Sequence, residues 1–250
     1  MSARRHLVWD WNGTLLDDLP LVVDATNTAF AAAVSGRSAS GARGQAAGPS
    51  FAAGGPRIDA DHHRRRFRRP IADYYAEVLG RPVEPAEFAR LNRVFHDAYQ
   101  AGLPCALTAD AAAALRSWPG SQSLLSMWFH AELMLAVEGH RLTAHFARID
   151  GMRQPLDGAV DHKGPYLADH LAALRLPSAE VVLIGDTVDD ARAAASVGAG
   201  CVLYGGGFTD PEQLRATGYP VTGSLVEAVS FALDGSRPGP VGAKLPRMGA

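Results

Sequence analysis

Residues 6–17, HLVWDWNGTLLD, and residues 181–190, VVLIGDTVDD, decide the fold of this chain. In each stretch a short apolar run ends at an acidic residue, which is Asp10 in the first and Asp186 in the second. An apolar run of this length, followed by Gly and a helix-like pattern, is typical of a buried parallel strand. Because open α/β sheets bind their ligands at the carboxyl ends of the strands, we expect these two carboxylates to meet there.

Two carboxylates that meet in this way imply a bound cation. They repel each other unless a positive charge lies between them. Ligands that are all oxygen atoms indicate a hard cation, and we expect Mg²⁺.

Strand and helix patterns alternate from Thr108 onward. Strands are predicted to end at Ser126 and to cover Phe146–Ile149, Val181–Ile184 and Cys201–Tyr204. Helices are predicted over 108–117, 129–137, 163–174, 188–197 and 210–216, and from Ser224. This alternation predicts an α/β fold with a doubly wound parallel sheet.

Residues 19–105 carry helical patterns alone, over a first helix with Pro20 in its first turn and then over 59–68, 71–79 and 84–101. Between the first two, residues 35–57 consist mostly of Gly, Ala, Ser and Arg. Such a segment buries too little apolar surface to offset the entropy lost on ordering, so we predict a flexible insertion. Residues 235–250 are rich in Gly and Pro and predict a disordered tail.

The overall composition excludes several classes of protein. The net charge of −2 gives no basic bias, so neither a nucleic-acid nor a membrane partner is expected. Cys105 and Cys201 are the only cysteines, which favours a reducing, cytoplasmic location over a disulfide framework. The basic run 62–69 is interpreted as a solvated helix face, while a role of one or two of its arginines in binding an anionic substrate stays open.

The two acidic motifs, Asp-x-Asn-Gly-Thr-Leu-x-Asp at 10–17 and Gly-Asp-Thr-x-x-Asp at 185–190, resemble the haloacid dehalogenase (HAD) superfamily of phosphohydrolases. Ser126 at a strand end and Lys163 at a helix start fit the family's two intervening motifs, in the family's order. The resemblance covers residues 6–234 and is greatest to the phosphoglycolate phosphatase-like branch. It implies a Rossmann-like core of residues 1–18 and 106–234 and an inserted all-helical cap over 19–105.

The resemblance implies a phosphatase that acts on a small phosphorylated metabolite. Asp10 would be the nucleophile and would form an aspartyl-phosphate. Ser126 and Lys163 would act in catalysis by holding the phosphoryl oxygens, and Thr14 would also bind the substrate.

The resemblance also implies the ligands of the expected Mg²⁺. These are the carboxylates of Asp10 and Asp186 and the backbone carbonyl of Asn12. Asp190 would orient the water shell of the metal. Because the ligand at position 12 is a backbone carbonyl, the exchange of Asp for Asn at this position should leave metal binding intact.

Asn12 departs from the pattern, because these phosphatases usually carry at this position an Asp that protonates the leaving group and activates the hydrolytic water. Asn has no titratable proton, and losing a general acid–base group typically costs about 10²–10⁴ in rate. Three explanations stay open. The substrate has a good leaving group, another residue supplies the proton, or the chain is a non-catalytic or weakly active phospho-ligand-binding protein.

Overall fold

The computed structural model describes residues 6–38, 55–153 and 162–234 of the chain. These residues form two compact units, one from the described residues up to Asp17 and from Ala106 onward, and the other from the described residues of Asp18–Cys105. We call the first the α/β unit and the second the helical unit. Most of the expected insertion, residues 39–54, and the expected tail, residues 235–250, lie outside the described residues.

The α/β unit is built on a six-stranded parallel sheet. The strands are β1 (His6–Trp9), β2 (Ser121–Phe129), β3 (Ile149–Met152), β4 (Val181–Gly185), β5 (Gly200–Tyr204) and β6 (Val221–Thr222). Their order is β3-β2-β1-β4-β5-β6, so that β1 lies in the middle, between β2 and β4. The doubly wound parallel sheet predicted from the sequence is confirmed, and β1 and β4 are buried along their whole length, as their continuous apolar runs indicate.

Two strands, β2 and β3, differ from their predicted bounds by more than one residue. β2 continues past Ser126 to Phe129, because the pairing with β3 shifts register between Leu125 and Phe129 and the strand resumes after this irregularity. β3 begins at Ile149, where the predicted strand ended, and runs to Met152; residues 146–148 are irregular and follow a 3₁₀ turn over 143–145. The short β6 was not predicted, because two residues give no periodicity to detect.

The helical unit contains α1 (Leu19–Ser38), α2 (Ala60–Arg66), α3 (Ile71–Leu79) and α4 (Pro85–Ala101). α1 packs against α4, and the buried hydroxyl of Tyr99 donates a 2.7 Å hydrogen bond to Asp18 at the start of the unit. Residues 35–38, which the sequence assigns to the flexible insertion, are helical in the structure. They continue α1, and the Ser35 hydroxyl donates to the carbonyl of Ala31 one turn earlier.

Six helices flank the sheet within the described part of the α/β unit. They are α5 (Ala111–Ser117), α6 (His130–Gly139), α7 (Lys163–Leu174), α8 (Val188–Val197), α9 (Pro211–Arg215) and α10 (Leu225–Leu233). α7 and α8 pack against each other, and their buried residues share one apolar core with the sheet strands. Along the described ranges of both units, no helix has the length and apolarity that crossing a membrane requires.

The chain leaves the α/β unit for the helical unit and returns to it at a single point. The backbone N–H of Asp17 donates to the carbonyl of Ala106 at 2.9 Å, and that of Thr108 donates to the carbonyl of Leu15 at 2.9 Å. Leu16 and Leu107 form an isolated antiparallel bridge between these two bonds. We call this pairing of residues 15–17 with residues 106–108 the stem.

Candidate active site

Three buried carboxylates lie together at the carboxyl ends of β1 and β4. The backbone N–H of Asp10 donates to the carbonyl of Ile184 at 2.9 Å, which aligns the ends of the two strands. Asp10, Asp186 and Asp190 are 7 %, 0 % and 1 % exposed, and one carboxylate oxygen of each lies within 4.8 Å of the others. The meeting of Asp10 and Asp186 expected from the sequence is therefore present.

Lys163, the first residue of α7, reaches into this cluster. Its ammonium lies 2.7 Å from Oδ1 of Asp10 and 2.5 Å from Oδ1 of Asp190, and the residue is 2 % exposed. Its backbone N–H donates to Oδ2 of Asp189 at 2.9 Å, which ties the start of α7 to α8. A lysine that opens a helix is usually solvated, but here its charge is enclosed among carboxylates.

Burial dominates the electrostatics of the cluster. It raises the pKa of Asp10 to about 6 against the opposing effect of the Lys163 ammonium. The pKa of Asp186 rises well above its ordinary value, first through burial and then through the negative charges of Asp10 and Asp190. Burial lowers the pKa of Lys163, but Asp10 and Asp190 outweigh it and raise that pKa overall. The one ammonium therefore contacts two of the three carboxylates, Asp10 and Asp190.

Asp186 is held by two donors in a tight backbone cradle. Its Oδ1 accepts a 2.8 Å hydrogen bond from the Thr14 hydroxyl, and its Oδ2 accepts a 2.6 Å bond from the Phe208 N–H. A Cβ atom at Gly13 or Gly207 would lie 2.5 Å or 2.2 Å from Oδ2, so only glycine fits at both positions. Thr14 thus orients a carboxylate of the cluster, and its role in substrate binding stays a prediction.

Asn12 and Ser126 contact each other beside the cluster. The Ser126 hydroxyl donates a 3.1 Å hydrogen bond to Oδ1 of Asn12 and accepts a 3.2 Å bond from the Trp128 N–H. The irregular end of β2, where the pairing shifts, thereby brings Ser126 to the residue two positions after Asp10. Their expected roles in catalysis, and that of the Asn12 carbonyl as a metal ligand, stay predictions.

Asp190 is fixed by the start of α8. It forms a capping box with Thr187, whose hydroxyl donates to Oδ2 of Asp190 at 2.6 Å and accepts from its N–H at 3.2 Å. Lys163 donates to Oδ1 of Asp190, and Thr187 donates to Oδ2 through its hydroxyl and its backbone N–H. The expected role of Asp190 in orienting the water shell of the metal stays a prediction.

The residues of the cluster fit a divalent cation. When its three carboxylates are ionised, the cluster carries more negative charge than the Lys163 ammonium compensates, and the available donors are oxygen atoms, which Mg²⁺ prefers. Each oxygen of Asp186 keeps a lone pair beyond the one bond that it accepts. Asp10 and Asp186 can therefore supply direct ligands.

The sequence prediction missed two parts of this site, which are the Phe208 N–H that holds Asp186 and the Asp189 carboxylate that holds the start of α7. A signal for the first was present. The Gly205–Gly207 run directly after β5 indicates a close approach of the backbone to another group. The second resembles an ordinary acidic residue in the first turn of a helix.

Comparisons with known proteins agree with this fold. Residues 162–228 match the family model described as HAD-hydrolase-like, and no curated protein matches the sequence significantly. A haloacid dehalogenase-like hydrolase from Streptococcus pneumoniae superposes with a TM-score of 0.72 at 17% identity, covering 92% of this chain and 99% of that chain. A predicted phosphatase from Clostridium acetobutylicum gives 0.73 at 16% identity, covering 93% and 100%.

A predicted phosphoglycolate phosphatase from Haemophilus somnus superposes with a TM-score of 0.65 at 14% identity, covering 92% of this chain and 99% of that chain. Together these matches confirm the predicted resemblance to the haloacid dehalogenase superfamily and its α/β fold.

Proposed function

We propose that this protein is a phosphohydrolase of the haloacid dehalogenase superfamily, which removes the phosphate from a small phosphorylated metabolite with Mg²⁺ as cofactor. One observation carries the proposal. The buried carboxylate of Asp10, at the end of the central strand, lies 2.7 Å from the ammonium of Lys163 and close to two further buried acids. A nucleophile and a cation in contact suit the attack on an anionic phosphoryl group.

Each residue of the cluster has its own role in the proposed reaction. An oxygen of Asp10 attacks phosphorus, the bond between phosphorus and the leaving oxygen breaks, and an aspartyl-phosphate forms. Lys163 holds the phosphoryl oxygens, on which the negative charge lies, and the Ser126 hydroxyl joins it by turning its one proton from Oδ1 of Asn12 toward the phosphate. Water then cleaves the acyl phosphate and regenerates the Asp10 carboxylate. Mg²⁺, held by Asp10, Asp186 and the Asn12 carbonyl with Asp190 at its water shell, would neutralise phosphate charge.

Asn12 limits the proton transfers of this reaction. Its Oδ1 accepts from the Ser126 hydroxyl, and an amide can neither protonate a leaving group nor take a proton from water near neutral pH. The residue therefore favours substrates whose leaving group departs without protonation. It also favours one alternative function, in which the cluster binds a phosphorylated ligand without turnover.

The test is a panel of phosphate esters, assayed with Mg²⁺ on the wild type and on Asp10→Asn. We expect the wild type to turn over part of the panel and Asp10→Asn to lose at least about 99% of this activity, since the nucleophile is absent. Asp17→Asn is the matched control, because it makes the same chemical change at an exposed acid of the same motif. It should retain wild-type activity.

Two results would change the proposal. If Asp10→Asn remains within about tenfold of the wild type, Asp10 is not the nucleophile, because a missing nucleophile costs far more. If members of the panel raise the melting temperature of the wild type but none is turned over, the chain is the phospho-ligand-binding protein of the alternative. The cytoplasmic location and the role of the helical unit as a cap stay predictions.

A further inference from the structure

A chain of hydrogen bonds crosses the α/β unit below the carboxylate cluster. Nδ1 of His170 lies 2.7 Å from Oδ2 of Asp150, and Nε2 lies 2.7 Å from the hydroxyl of Ser123. The same hydroxyl lies 2.7 Å from Nε2 of His6, whose Nδ1 lies 2.7 Å from the hydroxyl of Ser121. The chain therefore connects β1, β2, β3 and α7. His6, Ser123 and His170 are at most 1 % exposed.

The direction of every bond follows from the ionised state of Asp150. Burial opposes ionisation, but hydrogen bonds from Arg148 and His170 hold the pKa of Asp150 below its ordinary value. An ionised carboxylate only accepts, so Nδ1 of His170 donates, and Nε2 of a neutral His170 accepts from Ser123. The Ser123 oxygen then accepts from Nε2 of His6, whose Nδ1 accepts from Ser121. Each contact has one donor and one acceptor.

Both imidazoles are neutral at physiological pH. Burial and the nearby His170 lower the pKa of His6 to about 4. The pKa of His170 is lowered first by burial and further by the positive charges of Arg148 and Lys163, against the opposing effect of Asp150. The network is therefore fully satisfied in the state that predominates near pH 7.

The position of His170 on α7 connects this network to the active site. Lys163, Leu167, His170 and Leu171 form the buried face of the helix. His170 lies seven residues after Lys163, about two turns along the same face. Leu167 and Leu171 pack in the apolar core, but apolar contacts are not directional and tolerate small shifts of a helix along its axis. The bonds of His170 to Ser123 and Asp150 require a defined distance and angle.

We propose that His170 is a positioning residue of the active site, which fixes α7 against β2 and β3 through Ser123 and Asp150 and thereby places the Lys163 ammonium on Asp10 and Asp190. Asp189 holds the first backbone N–H of α7, and His170 holds the helix two turns later. With both ends of this segment tied, the lysine side chain meets its carboxylates in one geometry. The functional meaning of this geometry rests on the proposed phosphohydrolase activity, but the geometry itself does not.

The test measures the accessibility of Lys163 without metal or substrate. The chain has two lysines, Lys163 and Lys244, so the acetylation rate of Lys163 can be followed by peptide mass with Lys244 as an internal reference for the reagent. His170→Phe keeps a ring and removes both bonds to α7. We expect the relative labelling rate of Lys163 to rise at least about fivefold. Losing one hydrogen bond of about 1 kcal/mol raises by about this factor the fraction of molecules in which Lys163 is released from its carboxylates.

His6→Phe is the matched control. It makes the same substitution in the same buried network and also removes two bonds, but both of these bonds join β1 to β2 and neither involves a residue of α7. It should leave the relative labelling of Lys163 within about twofold of the wild type, since no bond of α7 is lost. Ser123→Ala removes the bond of α7 to β2 at minimal change of volume, and should raise the labelling even if His170→Phe does not fold.

Activity gives the second readout. If the panel identifies a substrate, His170→Phe and Ser123→Ala should weaken inhibition by inorganic phosphate more than His6→Phe does, because Lys163 binds the phosphoryl oxygens. Equal labelling of Lys163 in all three variants, or no change in any, overturns the positioning role. Increased labelling in a protein without any phosphatase activity leaves this role in place and refutes the proposed function instead.

Discussion

Lowering the pH from 7 to 5 should destabilise the protein through His6 by an amount that follows from its surroundings. His6 is 1 % exposed, and its pKa is about 4 in the folded protein, first because of burial and then because of His170. In the unfolded chain the pKa of histidine is about 6.5. The unfolded chain therefore binds more protons over this range, so the free energy of unfolding falls as the pH falls from about 6.5 toward 4.

The magnitude follows from proton linkage. With pKa values of about 6.5 unfolded and about 4 folded, binding of the proton favours the unfolded state by about 0.2 kcal/mol at pH 7 and about 2.0 kcal/mol at pH 5. The protein should therefore lose about 1.8 kcal/mol of stability through this one residue between the two values. The full effect of the shift, reached below pH 4, is about 3.4 kcal/mol.

Urea unfolding of the metal-free protein at pH 7 and pH 5 measures this loss. Other groups titrate over the same range, including His63 and His170, so the wild type is compared with His6→Gln, whose side chain is neutral at both values. The hydrogen bonds lost in the variant lower its stability equally at both pH values and cancel in the comparison. The wild type should lose about 1.8 kcal/mol more than the variant. Losses that agree within about 0.5 kcal/mol would show that His6 keeps an ordinary pKa and that this reasoning is wrong.

Three further predictions concern the carboxylate cluster and Asn12. Asn12→Asp should raise kcat on alkyl phosphates at least about tenfold and remove the pre-steady-state burst that an aryl phosphate gives with the wild type, because the acid supplies the missing proton transfers. Peptide mass must first show that Asn12 is not deamidated, and equal turnover of the two proteins on alkyl phosphates would contradict the account. Asp186→Ala should raise the melting temperature of the metal-free protein, since it removes a buried carboxyl group whose ionisation burial, Asp10 and Asp190 all oppose. The same variant should abolish stabilisation by Mg²⁺. A lower melting temperature with Mg²⁺ binding intact would refute this prediction. Gly207→Ala, whose Cβ would lie 2.2 Å from Oδ2 of Asp186, should weaken the Mg²⁺-induced rise in melting temperature. Gly223→Ala is the control, because its Cβ would have no atom within 4 Å, and it should leave that rise unchanged. Equal rises in the two variants would show that the backbone at Gly207 does not fix the position of Asp186.

The parts of the fold that were predicted correctly are those with a strong local pattern. α7 and α8 have the predicted bounds, because apolar periodicity and a clear start define each helix. β4 begins at the predicted residue, because a fully buried strand shows as a continuous apolar run. The end of β2 was missed, because a change of register depends on the partner strand and leaves no mark in the strand's own sequence.

For the site, the sequence identified residues but not their contacts. It singled out Asp10, Lys163, Asp186 and Asp190, and the structure places the four side chains together. The bond of Thr14 to Asp186 joins residues 172 positions apart, and no local pattern relates them. The network of His170 was missed for the same reason, since His6, Ser123 and Asp150 each resemble an isolated polar residue in a strand pattern.

The stem has a consequence for how this chain could have been assembled. Residues 15–17 and 106–108 are hydrogen-bonded to each other, so the two points where the intervening segment is joined are adjacent within the α/β unit itself. A gene segment inserted between adjacent points costs little closure entropy and disturbs no strand pairing, whatever its length. Residues 18–105 can therefore be exchanged as one segment without a change in the strand pairing of the α/β unit. Such a segment can be lengthened, shortened or exchanged over generations while β1 and β4, which Asp10 and Asp186 directly follow, keep their register.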